Sequence, residues 1–434
     1  MRRTEESSRA KSRGLYPGAR SEGLKKAARR PRNRSSVRAC ALVVAALSAA
    51  LAAVAFSSGT PRPATTSDAG MWSFTTVDSP GYVGGFTSVA TDSLCNAHIS
   101  YWDYSDNDLK YSTNGGGSWA SSILDSTGMV GTYTSIAVDS VDCVHISYFY
   151  SNYGDLRYAT NAGGEWAIHG FDSAASVGWF TSIAVDSNDD VHISHWDESN
   201  GDLIYTTNAG GNYLNCTVDS VGNVGLYTSI ALDQEDKVHI AYMDLTNGCL
   251  KYATNVDGPW TNHTLDDIGC SRDDLGDYTA LAVDSHGNSH IAYWDMTNDD
   301  LKYATNADGS WETLTLDSPG NVGYWPSIAV DSFDGIHIAY YDSTNGDLKY
   351  ATNAGGSWMC DALDTAGNVG RFTSIAVDAG NHVHISYYDW TNSDLKYAYN
   401  TLAIPEFGMA VVAIIAATVS VFVALNRAHH PGND

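Results

Sequence analysis

One phrase recurs along most of this chain, most cleanly at residues 327–373 (SIAVDSFDGIHIAYYDSTNGDLKYATNAGGSWMCDALDTAGNVGRFT). Its histidine falls at His98, His145, His192, His239, His290, His337 and His384, at intervals of 47, 47, 47, 51, 47 and 47 residues. Each unit holds four short runs rich in Ile, Val, Tyr and Trp. In the clearest unit these are Ser327–Asp331, Ile336–Tyr341, Asp347–Thr352 and Trp358–Asp364. Asp-Gly, Asn-Gly and Gly-Gly pairs separate the runs, which reads as strands joined by tight turns. No helix of ordinary length fits between breakers so closely spaced.

A lone four-stranded sheet cannot bury both faces, so neighbouring units must stack. Four antiparallel strands per period of this length describe the blade of a β-propeller. The predicted fold is all-β: a seven-bladed β-propeller of four-stranded blades over residues 71–403, closed by an N-terminal strand. The seventh unit stops after its third strand, Asp394–Tyr399. The missing fourth strand is Trp72–Asp78 (WSFTTVD), with Trp72 in the place held by Trp119, Trp166, Trp260, Trp311 and Trp358, and once by Tyr213. Such closure removes two open sheet edges. An open solenoid would need capping units, which the sequence lacks.

The net charge of −26 conceals a division. Residues 1–38 carry thirteen Lys/Arg and three Glu, whereas residues 63–404 carry nine Lys/Arg against forty-five Asp/Glu. An acidic surface of that size repels phosphates and excludes nucleic acid as a partner. Ala39–Phe56 is uncharged and apolar, and follows the basic segment as a secretory signal or an uncleaved anchor would. Residues 57–70 form a Ser/Thr/Pro/Ala-rich linker. Gly408–Leu425 is again uncharged, and eighteen helical residues reach roughly 27 Å, enough to span a bilayer. Arg427 in the 426–434 tail and the basic N-terminus place the membrane-flanked propeller outside, at the cell surface. Six cysteines lie in the propeller, of which Cys249 and Cys270 flank one hairpin. Asn215-Cys216-Thr217 and Asn262-His263-Thr264 are glycosylation sequons on outer strands.

Two segments resemble known families. Residues 404–408 (IPEFG), ahead of the C-terminal apolar span and a basic residue, resemble archaeal sorting signals cut by archaeosortases, which implies a processed surface protein. The hairpins SxNxGxSW (Ser112–Trp119), AxNxGxEW (Ala159–Trp166) and AxNxGxSW (Ala351–Trp358) resemble the Asp-box of bacterial neuraminidase repeats. Asn114, Asn161, Asn208, Asn255, Asn306 and Asn353 stand where that family has Asp. There the box is a folding element remote from the active site. The resemblance does not carry catalysis with it: the propeller has only Arg157, Arg272 and Arg371 for an arginine triad, and only Glu165, Glu198, Glu235 and Glu312 as glutamates.

The seven histidines occupy identical places, whereas catalysis requires different groups converging on one point. They read as buried residues bonded to Ser, Asp or backbone. The candidate binding residues sit where second strands end: Trp102-Asp103, Trp196-Asp197, Trp294-Asp295, Tyr341-Asp342 and Tyr388-Asp389. The connections before first strands end in aromatics, among them Phe86, Trp325 and Phe372. Both sets of connections emerge on one face of a propeller. A mouth of aromatics and carboxylates suits sugar stacking with hydroxyl bonding. The four-residue insertion near Asp266–Tyr278 gathers Asp266, Asp267, Asp273, Asp274 and Asp277, oxygen ligands of the kind Ca²⁺ takes. No other cofactor is indicated. The sequence favours a non-enzymatic surface propeller that binds a carbohydrate or protein partner. A glycan-acting hydrolase or lyase and a structural surface-layer component are the alternatives.

Overall fold

The computed structural model of the chain describes residues 72–171, 176–268 and 279–400. These form seven antiparallel four-stranded sheets, each following chain order except the last. In that sheet Trp72–Asp78 lies beside Asp394–Asn400, which continues to Val383–Asp389 and Val369–Val377. The closing register pairs Trp72 with Asn400 and Thr75 with Tyr397. Trp72 packs edge-on to Tyr350 of the preceding blade at 5.2 Å. Trp166 on Tyr111, Trp260 on Tyr205 and Trp358 on Tyr303 repeat that contact at 5.0–5.3 Å. The ring therefore closes as its repeats require. Residues 1–71 and 401–434 lie outside the described residues, and with them the expected apolar segments Ala39–Phe56 and Gly408–Leu425, the IPEFG motif and the tails. Among the described residues no helix is long and apolar enough to cross a membrane.

First strands are longer than the alternating pattern suggests, running Val322–Val330 rather than from Ser327. The pattern breaks because six of these strands carry two register shifts each, as between Val322 and Tyr324 and between Tyr324 and Ser327; in the fifth blade only Thr279–Val283 lies among the described residues. The residues expected to end a connection, Phe86, Tyr133, Phe180, Tyr227, Trp325 and Phe372, lie inside these strands with φ of 45–53°. Left-handed backbone at a bulky residue is strained, and it is held here by packing on both sides.

Hydroxyls stitch blade to blade around the axis. The Ser88 Oγ accepts from Ile136 N at 3.2 Å, Ser135 from Ile183, Ser182 from Ile230, and Ser374 from Val89 across the closure. Thr134 donates to Ser100, and Thr87 to Ser386. Close approach of blades also demands glycine. At Gly178, with φ +95°, a Cβ would stand 2.6 Å from the Leu156 backbone of the preceding blade. Gly178→Ala is therefore expected to destabilise the protein by about 2–4 kcal/mol, read from urea unfolding.

The repeated histidines are buried in an Asp–His–Tyr relay. Nδ1 lies 2.5–2.6 Å from a third-strand tyrosine hydroxyl in all seven blades, as in His98–Tyr111 and His337–Tyr350. In all seven blades Nε2 lies 3.1–3.4 Å from the Asp that follows the first strand, as in His337–Asp331, and in every blade but the third the geometry is that of a hydrogen bond. With Nε2–H donating to the carboxylate, Nδ1 remains free to accept the phenol proton. The expected aspartate partner is present. The serine on the same strand face (Ser100, Ser147, Ser194 and Ser386) instead serves the blade stitching. A different serine, Ser289, at the position before His290, has its hydroxyl 3.1 Å from His239 of the preceding blade.

A second relay joins adjacent blades. Tyr101 donates to Asp78 at 2.6 Å, and Lys110 reaches the same oxygen at 2.5 Å. Tyr148 and Arg157 do the same on Asp125, and Tyr242 and Lys251 on Asp219. Hydrogen bonds and the cation hold Asp125, Asp219 and Asp364 below the usual carboxylate range, against the opposing effect of burial. The third blade departs: His195 takes the tyrosine's place and Ile204 the cation's.

Candidate functional site

The second-to-third and fourth-to-first connections meet on one face. Tyr104 N donates to Tyr82 O, Leu245 N to Asn223 O, Ser343 N to Asn321 O and Trp390 N to Asn368 O, at 2.8–2.9 Å. At the centre of this mouth the positive-φ aromatics form a collar. Ring centroids lie 4.5 Å apart for Phe86–Tyr133, 4.6 Å for Tyr133–Phe180, 4.1 Å for Phe180–Tyr227, 4.8 Å for Trp325–Phe372 and 4.6 Å for Phe372–Phe86. Tyr278, the remaining position, lies outside the described residues.

The structure places the aromatic–Asp pairs beneath this collar. Trp196, Trp294, Tyr341 and Tyr388 are buried, and Trp102 is half-buried. Asp103, Asp197, Asp295, Asp342 and Asp389 are buried too, and each braces its own hairpin. Asp197 accepts from the backbone of Ser199 and Asn200 and from the Asn200 amide, while Asp342 and Asp389 repeat the pattern with Asn345 and Asn392. Asp103 accepts from Ser105 N, and Asp295 from Thr297 N and the Asn298 amide. Their oxygens are occupied within the fold, so the D-x-x-N-x-D loops are turns first. The second acid of each loop faces the first across the strands, as in Asp342 opposite Asp347. Burial, then the neighbouring carboxylate, raises Asp347, Asp202 and Asp394 above the ordinary range.

The insertion is described only at its start. Asp266 accepts from the Tyr293 hydroxyl at 2.7 Å and pairs with Lys302, filling the blade-joining role of Asp78 and Asp219. Its charge is thus already neutralised. Asp267 is exposed and donates its N–H to Asp266. Asp273, Asp274, Asp277 and Cys270 lie outside the described residues. Among those described, the group with cation-ligating spacing is Asp284, His286 and Asp334, on the opposite face. Asp284 already accepts from His286 N, Asn288 N, the Asn288 amide and His290, and Asp334 from Ser285.

On that opposite face the six Asn-x-x-Gly hairpins are fastened to second strands. Asn114 Oδ1 accepts from Ala97 N, Asn208 from Val191 N and Asn353 from Ile336 N, at 2.6–2.8 Å. The sequon residues Asn215 and Asn262 are exposed on outer strands.

Sequence reasoning missed the mouth positions at which the blades differ. One follows the glycine of the first strand: Gly85, Thr132, Trp179, Leu226, Tyr324 and Arg371. The other opens the second-to-third turn: Tyr104, Ser151, Glu198, Leu245, Met296, Ser343 and Trp390. Their neighbours in sequence hardly vary. The side chain at the first position lies over the aromatic ending the preceding blade's second strand: Trp179 on Phe149 at 4.4 Å and Tyr324 on Trp294 at 3.8 Å. Gly85 leaves that space empty, and Tyr104 fills it, 4.2 Å from Trp102 and 5.8 Å from Tyr388. A side chain at Gly85 would collide with the Tyr104 ring. Variation between repeats at these two positions is the signal that could have found them.

No family model matches the chain, and no curated protein matches it. Among solved structures it is similar to the SapL1 lectin in complex with alpha methyl fucoside (12% identity, TM-score 0.46), covering 67% of this chain and 98% of that one. It is also similar to the polysaccharide lyase Uly1 (9% identity, TM-score 0.49), covering 74% and 90%. For the Hadza microbial sialidase Hz136 the identity is 14% and the TM-score 0.43, covering 60% and 63%.

Proposed function

We propose that this chain is a non-enzymatic cell-surface propeller, anchored in the membrane, that binds carbohydrate through its mouth. The observation carrying this reading is the break in sevenfold repetition on that face. Rings at Tyr104, Trp179, Tyr324 and Trp390 vary from blade to blade over a constant collar. Aromatic rings of this kind, half-buried at Tyr104, Trp179 and Tyr324 and exposed at Trp390, suit the C–H faces of pyranose rings. The mouth carboxylates hold turns rather than flank an open cleft as a matched pair, which supports binding over hydrolysis. The basic and apolar segments before residue 57 and after residue 407 support the external location.

The test is a glycan array probed with the purified protein. Binding to a restricted set of glycans, weakened at least tenfold by Trp179→Ala or Trp390→Ala, is the expected result. Silence on glycans with capture of a surface protein instead would replace the reading. Protease shaving of intact cells checks the location: the propeller should be released while cytoplasmic markers stay protected.

A further inference from the structure

Between the sixth, seventh and first blades the mouth carries a group found at no other described junction. The Arg371 guanidinium lies 4.1 Å from the ring centre of Trp390, 5.6 Å from Tyr341 and 6.0 Å from Trp325. The third-strand cations Lys110, Arg157, Lys251, Lys302, Lys349 and Lys396 are each paired with a blade-joining aspartate. Arg371 forms no ion pair with the described residues, although acids outnumber bases five to one between residues 63 and 404. Its Nε is buried without a hydrogen-bond partner, and so is the indole Nε1 of the adjoining Trp325. Two desolvated donors on adjoining side chains are costly unless an acceptor arrives. The Trp390 ring, although the guanidinium rests over it, is still 51% exposed and offers a shelf beside the cation.

We propose that Arg371, Trp325 and Trp390 form a subsite for a carboxylated sugar: the ring stacks on Trp390 and the carboxylate accepts from Arg371 and the Trp325 indole. This deepens the carbohydrate reading of the same mouth and rests on it. An anion is the ligand that a lone guanidinium with unfilled donors selects. The acidic surface around it would otherwise repel such a ligand, so Arg371 decides whether it binds. The shelf selects a sugar ring over an extended acidic peptide.

Isothermal titration of the purified full chain with oligomers of galacturonate and mannuronate, each beside its methyl ester, tests this. The free acids should bind at least tenfold more tightly than the esters, and the difference should shrink with salt. Arg371→Met should abolish the acid–ester difference while leaving thermal unfolding unchanged, and Arg371→Lys should restore only part of it. Trp390→Ala should weaken acid and ester alike. Equal binding of acid and ester, or an unchanged difference in Arg371→Met, overturns the carboxylate subsite and leaves the carbohydrate reading standing. Equal binding of polyglutamate overturns the choice of a sugar. No binding to any oligomer by a folded protein overturns the subsite, and silence on the glycan array besides overturns the reading beneath it.

Discussion

Removing Trp72–Asp78 is expected to abolish cooperative folding of the whole ring, not merely fray its last blade. Deletion exposes the edge of Asp394–Asn400, which the closing strand covers from Trp72 to Asp78. It takes Trp72 from Tyr350, and truncating a packed tryptophan costs roughly 3–5 kcal/mol. It also strips Lys110 and the fully buried Tyr101 of their common acid, Asp78. Removing one partner of a buried ion pair costs about 3–5 kcal/mol, here eased for Lys110 by Asp103 at 3.6 Å. Against a total stability of about 5–15 kcal/mol, these losses exceed what a domain survives. The check is circular dichroism and urea unfolding of the deletion beside a rearranged chain carrying WSFTTVD after Asn400 through a short turn. The rearranged chain should unfold cooperatively within a few degrees of the parent. A deletion that melts like the parent would show the ring is held elsewhere.

The second large effect is acid lability. Burial lowers His239, His290, His337 and His384 below the ordinary imidazole value, partly offset by their aspartates. His195, 2% exposed, is pushed down to about 4 by burial. The unfolded chain takes up these protons near pH 6.5 while the folded chain refuses them, so stability falls as pH drops from there to the folded values. The partner aspartates Asp233, Asp284 and Asp378, held below the ordinary range, act in the same direction lower down. Hydrogen bonds hold Asp378 at about 2, and its contribution disappears as pH falls from near 4 through that value. The raised acids Asp108, Asp202, Asp300, Asp347 and Asp394 work oppositely just above pH 4 and soften the decline. With its pKa lowered to about 4, His195 alone accounts for about 3 kcal/mol between pH 6.5 and 4. The unfolding free energy from urea titrations should therefore fall steeply from pH 7.5 to 4.5, and by about 2–3 kcal/mol less in His195→Gln. Parallel declines in the two proteins would exclude His195 as a source.

The ring was legible because a propeller repeats its constraints. The periodic histidine, the Trp-for-Trp substitution at Trp72 and the truncated seventh unit together specify blade count and closure. The mouth was only half legible. Trp102-Asp103 and its equivalents repeat because every blade needs the same hairpin brace, so their recurrence is explained by architecture alone. The informative residues were those that refuse to repeat. Arg371 reads in sequence as a connection arginine, since nothing local reveals that a first strand continues through two register shifts to hold it over the mouth. Tyr104 is intelligible only with Gly85, a partner nineteen residues away in another strand. The collar aromatics escaped assignment to strands because positive φ at Phe86 or Trp325 breaks the alternation from which strands are read.

Closure by the first strand on the last has a mechanical consequence. Trp72 lies opposite Asn400, so the chain enters and leaves the ring at neighbouring points. Tension applied between those two ends pulls across the ladder rather than along it. Its hydrogen bonds then yield in succession, like a zip, instead of sharing the load. Against a pull shared by both termini the closure is the weakest element of the ring. A pull transmitted through one terminus alone and a ligand held at the mouth would instead distribute force over seven sheets.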